Sequence, residues 1–83
     1  MPREQHSAEE IRDEVSRLIH EGEAVKDDNA KIGVPLPTAR PPGVTEANGS
    51  NWAMLTFSGS IVGYEDWVDH VVASVQSRWD LKT

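Results

Sequence analysis

Asp66 and His70 stand four residues apart, the spacing that brings two side chains together on one face of a helix. A carboxylate and an imidazole so placed can share a metal ion or work as an oriented acid–base pair. The turn Ser58-Gly59-Ser60 precedes the same stretch, and its backbone amides could cradle an anion. Together these residues would form the polar centre of a small ligand-binding protein or enzyme. Two features oppose that use. Glu65 and Asp66 put negative charge where an anion would sit, and no third ligand lies nearby in sequence to complete a metal site. The commoner role of Asp66 and His70 is a polar flank beside Trp67. Of the other histidines, His6 falls in a terminal tail and His20 lies opposite the apolar stripe of its helix, so both are expected in solvent.

Chemistry is restricted further by what is missing. The chain contains no G-x-G-x-x-G, no G-x-x-x-x-G-K-S/T, no G-x-S-x-G and no H-E-x-x-H. With no cysteine, thiolate catalysis, disulfides and Cys-based zinc or iron–sulfur centres are excluded. Eighty-three residues leave little room for a deep catalytic pocket, and carboxylates scattered over helix faces do not make the converging pair that glycosidase or aspartic-protease chemistry needs. A non-enzymatic protein is therefore expected, with no cofactor and no metal.

The elements that would position these residues follow from periodicity and caps. Ser7 and Glu10 form a capping box that opens a helix over about 7–21, with Ala8, Ile11, Val15, Leu18 and Ile19 as its stripe and Gly22 as its stop. Residues 1–6 read as a flexible tail and 7–81 as one domain. A polar connection, 23–30, leads to Lys31-Ile32-Gly33-Val34-Pro35-Leu36, a weak edge strand. A proline-rich loop at about 35–50 follows, with Pro35, Pro37, Pro41 and Pro42. Val44 to Ala47 is a second short strand, and Asn48-Gly49 turns the chain into Trp52-Ala53-Met54-Leu55-Thr56-Phe57, the strongest strand signal. Tyr64, Trp67, Val68, Val71, Val72, Val75 and Trp79 then repeat every three or four residues along a closing helix. The order α-β-(β)-β-α predicts an α+β, two-layer fold, with both terminal helices packed on one face of a small antiparallel sheet.

That arrangement leaves a sheet face open. Alternation along the best strand sends Ala53, Leu55 and Phe57 towards the helices and Trp52 and Met54 to the open side. Trp67 is expected at the edge of the core, with its indole N–H seeking a partner at the boundary. An interface is expected at Trp52 and Met54, extended by Pro41 and Pro42 of the adjacent loop and by Arg78 and Trp79, since tryptophan and arginine are enriched where binding energy concentrates.

The charge is −6 and uneven: residues 1–30 hold four basic and nine acidic side chains. The α-β-β-β-α order resembles that of double-stranded-RNA-binding domains in topology, but such modules need a basic surface, and direct nucleic-acid binding is disfavoured. Asn51-Trp52-Ala53-Met54-Leu55 and the closing Arg78-Trp79-Asp80-Leu81 resemble small hypothetical proteins of Burkholderia-type bacteria; that resemblance implies no activity, cofactor or site residue. No stretch is apolar enough to insert in a membrane and the first residues have no apolar leader, so a soluble cytoplasmic protein is expected. The sequence predicts a small acidic interaction or accessory protein, with a protein partner or a second copy of itself on the exposed face.

Overall fold

Ser7 begins the first helix as expected. Its hydroxyl accepts from the Glu10 amide at 3.2 Å while the Glu10 carboxylate accepts from the Ser7 amide at 3.0 Å. This reciprocal pair fixes the start of α1, Ala8–His20. The computed structural model describes residues 4–41, 43, 49–54, 56–59 and 62–82. Among these, α1 is preceded by β1 (Glu4–His6) and followed by α2 (Glu23–Asp27), β2 (Ile32–Gly33), β3 (Thr38–Ala39), β4 (Trp52–Ala53), β5 (Ser58–Gly59), α3 (Glu65–Arg78) and β6 (Trp79–Leu81). The class is α+β. No helix among the described residues is long and apolar enough to cross a membrane.

The single sheet expected from alternation is replaced by three two-stranded ladders. β2 pairs antiparallel with β5 and β3 antiparallel with β4, while β1 and β6 pair in parallel, with Glu4 opposite Trp79 and His6 opposite Leu81. Residues 4–6, expected in a flexible tail, are thus held by the other end of the chain. The Lys82 amide donates to the His6 carbonyl at 2.8 Å, and the His6 ring stacks on Trp79 with centroids 3.6 Å apart. Gly33 and Pro35 limit β2 to two residues, and β5 falls where only a loop was expected because Gly59, at φ +82, supplies a backbone conformation open to glycine. The expected strand over 44–47 and the Asn48 side of its turn lie outside the described residues.

With no broad sheet to lean on, α1 and α3 pack directly on one another. Ile11, Val15 and Ile19 from α1 meet Val68, Val71 and Val75 from α3, and Val25, Ile32 and Leu81 close the ends of the cluster. At its centre lies Trp52, fully buried. That corrects the open-face expectation. A two-residue ladder has no solvent face of its own, and its Trp side chain fills the space between the helices. Trp52 Nε1 donates to the Trp79 carbonyl at 2.9 Å, and the Trp52 carbonyl accepts from Gln76 Nε2 at 2.7 Å and Ser50 Oγ at 3.0 Å. Met54 is half-buried against the same core.

His20 also departs from expectation. It is half-buried, with Nδ1 bonded to the Ser16 carbonyl at 2.7 Å and Nε2 accepting the Ile32 amide at 3.2 Å. A carbonyl only accepts and an amide only donates, so the partners assign the Nδ1–H tautomer. The ring replaces a ladder partner that β2 lacks.

Candidate functional site

Gly22 separates α1 from α2, but not as the left-handed stop that the sequence suggested: its backbone is extended, at φ −62 and ψ 137. What requires glycine is the close approach of Trp67. A Cβ built on Gly22 would stand 2.6 Å from Trp67 Nε1 and 2.8 Å from Cε2, separations that real Cβ atoms essentially never show. The indole lies across the helix junction and donates from Nε1 to the Ile19 carbonyl at 3.0 Å. That carbonyl is in the last turn of α1 and also accepts from the Gly22 amide at 3.2 Å.

The boundary partner expected for the Trp67 N–H is therefore present, but the ring is 36% exposed rather than core. On one side it stacks with His70, centroids 5.6 Å apart. Together with Tyr64 it lines a cleft of about 320 Å³ whose other residues are Gly22, Glu23, Ala24 and Val25. Val25 is buried beneath and Ala24 is exposed at the surface. Tyr64 is held across the gap by a hydrogen bond from its hydroxyl to the Asp28 carboxylate. That bond raises the phenol above its ordinary pKa of 10.0, with burial and the Asp28 charge adding to it.

The lining is mostly apolar, with one carboxylate, Glu23. Among the described residues Glu23 makes no ion pair or hydrogen bond, unlike Glu14 and Glu21, both of which hold Arg17. Such a site can bind and orient an apolar or amphipathic side chain. Its one side-chain hydroxyl, that of Tyr64, is engaged by the Asp28 carboxylate.

The sequence-predicted site residues are not gathered in one place. Asp66 and His70 are both exposed; no hydrogen bond joins them, and the His70 ring lies against Trp67 instead. Ser58 sits in β5 opposite Gly33, and Ser60 lies outside the described residues. Among the described residues no three His, Asp or Glu side chains converge on a point that could hold a metal ion. Pro41 is exposed, and Pro42 lies outside the described residues. Arg78 reaches Glu14 at 3.5 Å and lies over the Trp79 ring, 5.6 Å from its centroid, so both residues brace the terminal clasp rather than a free face. His6, expected in solvent, completes that clasp, with Nδ1 3.4 Å from Glu10.

Sequence reasoning missed α2, and with it the cleft. Five residues with only Ala24 and Val25 apolar are too few for a helical period to show. The available signal was a glycine between a strong helix and an acidic segment, with a tryptophan elsewhere needing an acceptor. Compared with protein-family models, curated proteins and solved structures, the chain matches none.

Proposed function

We propose that this protein is a small acidic, non-enzymatic interaction module that engages a protein partner through the Trp67 cleft. The observation that supports this reading is the cleft itself: a largely apolar hollow of about 320 Å³ edged by a half-exposed tryptophan whose position is fixed by a backbone hydrogen bond. Its size is at the lower end of the ~300–1,000 Å³ of ligand sites, enough for an anchoring side chain. A rigid, partly exposed tryptophan beside a concave apolar surface is the usual form of an energetic hot spot. The contact surface thus moves from Trp52 and Met54, which the core absorbs, to the junction of α2 and α3. The enzymatic alternative rests on Asp66 and His70, which no hydrogen bond joins, and the second titratable group of the cleft, Tyr64, is engaged by Asp28.

The test is site-specific photocrosslinking in cells that express the protein, with a benzophenone side chain at Ala24 and, as control, at Val62, which is 86% exposed and outside the cleft. A discrete adduct formed from position 24 and not from position 62 is the expected result. Identical adduct patterns from both positions would remove the cleft as the contact surface.

A further inference from the structure

We propose that the side chain which fills the cleft is an arginine, presented by a basic segment of the partner. This rests on the interaction reading above and specifies its ligand chemistry. Three properties of the cleft have to be matched at once. Its wall at Ala24 and Val25 is apolar, its edge carries the π-systems of Tyr64 and Trp67, and its one charged lining group is the Glu23 carboxylate, free of ion pairs among the described residues. Arginine matches all three: a methylene stem that packs on apolar surface, a planar cation that stacks on aromatic rings, and a fork that pairs with a carboxylate. A leucine or phenylalanine would pack on the apolar wall but make no pair with the Glu23 carboxylate, which lies exposed at the rim.

The surroundings favour the same occupant. The two elements that wall the cleft carry Asp27, Glu65, Asp66 and Asp69 besides Glu23, with Asp28 capping α2, against Lys26 and against Arg78, which lies in the last turn of α3 and is held by Glu14. This field attracts a basic segment before contact and repels an acidic one. Arg17, the nearest arginine of the chain on α1, is already held by Glu14 and Glu21 and does not fill the role in cis.

The experiment is an NMR titration of the full chain with acetylated, amidated tetra-arginine, tetra-lysine and tetra-citrulline peptides. Citrulline keeps the shape of arginine without its charge. Tetra-arginine is expected to move the Trp67 Nε1–H resonance and the Gly22 and Ala24 amides in a saturable way. Binding should weaken about threefold in Glu23→Gln, the loss of one partly exposed charge pair. It should weaken at least about tenfold in Ala24→Arg, which blocks the hollow and adds a like charge from an exposed position. Tetra-citrulline is expected to bind at least about tenfold more weakly than tetra-arginine. Equal binding of tetra-citrulline at the cleft overturns the cationic assignment while leaving the interaction reading in place. Equal binding of tetra-lysine overturns the choice of guanidinium. Shifts spread over α1 and unaffected by Glu23→Gln or Ala24→Arg, or no binding of tetra-arginine at all, overturn the inference outright. The interaction reading falls separately, by the crosslinking comparison.

Discussion

Replacing Gly22 by alanine tests the contact on which the cleft depends. The added methyl would meet the Trp67 indole at 2.6–2.8 Å, and the backbone at φ −62 is one that alanine adopts freely, so the whole cost falls on the tryptophan. Trp67 must rotate away, giving up its bond to the Ile19 carbonyl, worth about 1 kcal/mol net, and leaving its preferred rotamer for about 1 kcal/mol more. The stiffer unfolded chain returns about 0.7 kcal/mol. Gly22→Ala should therefore destabilise by about 1.3 kcal/mol, a fall of roughly 5–10 °C in Tm for a domain of this size. Urea denaturation followed by far-UV circular dichroism measures it. The sign should reverse in a Trp67→Ala background: with the indole gone, only the favourable unfolded-state effect remains and the same substitution stabilises by about 0.4–1 kcal/mol. If alanine at position 22 has the same sign in both backgrounds, the indole does not sit where the structure places it.

Four further outcomes are expected. Trp52→Ala should cost about 3–5 kcal/mol, comparable with the whole ~3–5 kcal/mol that a core of this size supplies, so the variant should be unfolded by circular dichroism; a folded variant would contradict the buried position. Asn51 brackets Leu81 with two hydrogen bonds, Nδ2 to the Leu81 carbonyl at 3.0 Å and the Leu81 amide to Oδ1 at 2.8 Å, and Asn51→Ala should cost about 1–3 kcal/mol and speed hydrogen exchange at the Leu81 amide. Tyr64 is the chain's one tyrosine, so its ultraviolet titration reads that site alone: the midpoint should lie above 10.0 and return towards it in Asp28→Ala. The raised folded value means that the Tyr64 contribution to stability is complete below pH 10 and lost as pH rises through the folded pKa. Glu10 runs the other way: amide and hydroxyl donors on Ser7 and its contact with His6 hold it below 4.5, so its contribution is present above that pH and lost as pH falls through the folded value, and Glu10→Gln should flatten the acid limb of the unfolding profile.

Legibility of this fold from sequence follows the range of the interactions. The capping box needs only Ser7 and Glu10, three residues apart, and the apolar stripe of α1 and the valines of α3 need only their own spacing; these stood in the sequence as they stand in the structure, whereas Trp67 of the expected α3 stripe is exposed and Trp79 leaves the helix for β6. The excess of acid over base in residues 1–30 was also legible, and on α1 it is Arg17 that Glu14 and Glu21 hold between them. Strands were legible only in part: β2 and β4 fall within the expected strands over 31–36 and 52–57, but each described strand is two or three residues long and owes its existence to a distant partner. Nothing in Glu4-Gln5-His6 indicates that Trp79-Asp80-Leu81 will pair with it. The apolar alternation of 52–57 is real, but it serves a core between two helices, with Phe57 and Met54 packed from outside and Trp52 within.

The tryptophans show why the site was harder to read than the fold. Trp52 and Trp67 do the same local chemistry: each indole N–H donates to a carbonyl at the C-terminal end of a helix, Trp79 after α3 for one and Ile19 in α1 for the other. The Ile19 carbonyl shares its bond with the Gly22 amide, and the Trp79 carbonyl belongs to the first residue of β6. What separates a core residue from a surface anchor is then how much else surrounds the ring. Trp52 is enclosed by both long helices and by the Ser50 and Gln76 bonds to its own carbonyl. Trp67 has Gly22, the Ile19 carbonyl, the short α2 and the His70 ring beside it and remains exposed, because the five residues of α2 cannot cover a full indole. A one-sided cover of that kind gives a tryptophan that is fixed and still exposed, and it is this combination of exposure with fixation on which the proposed contact surface rests.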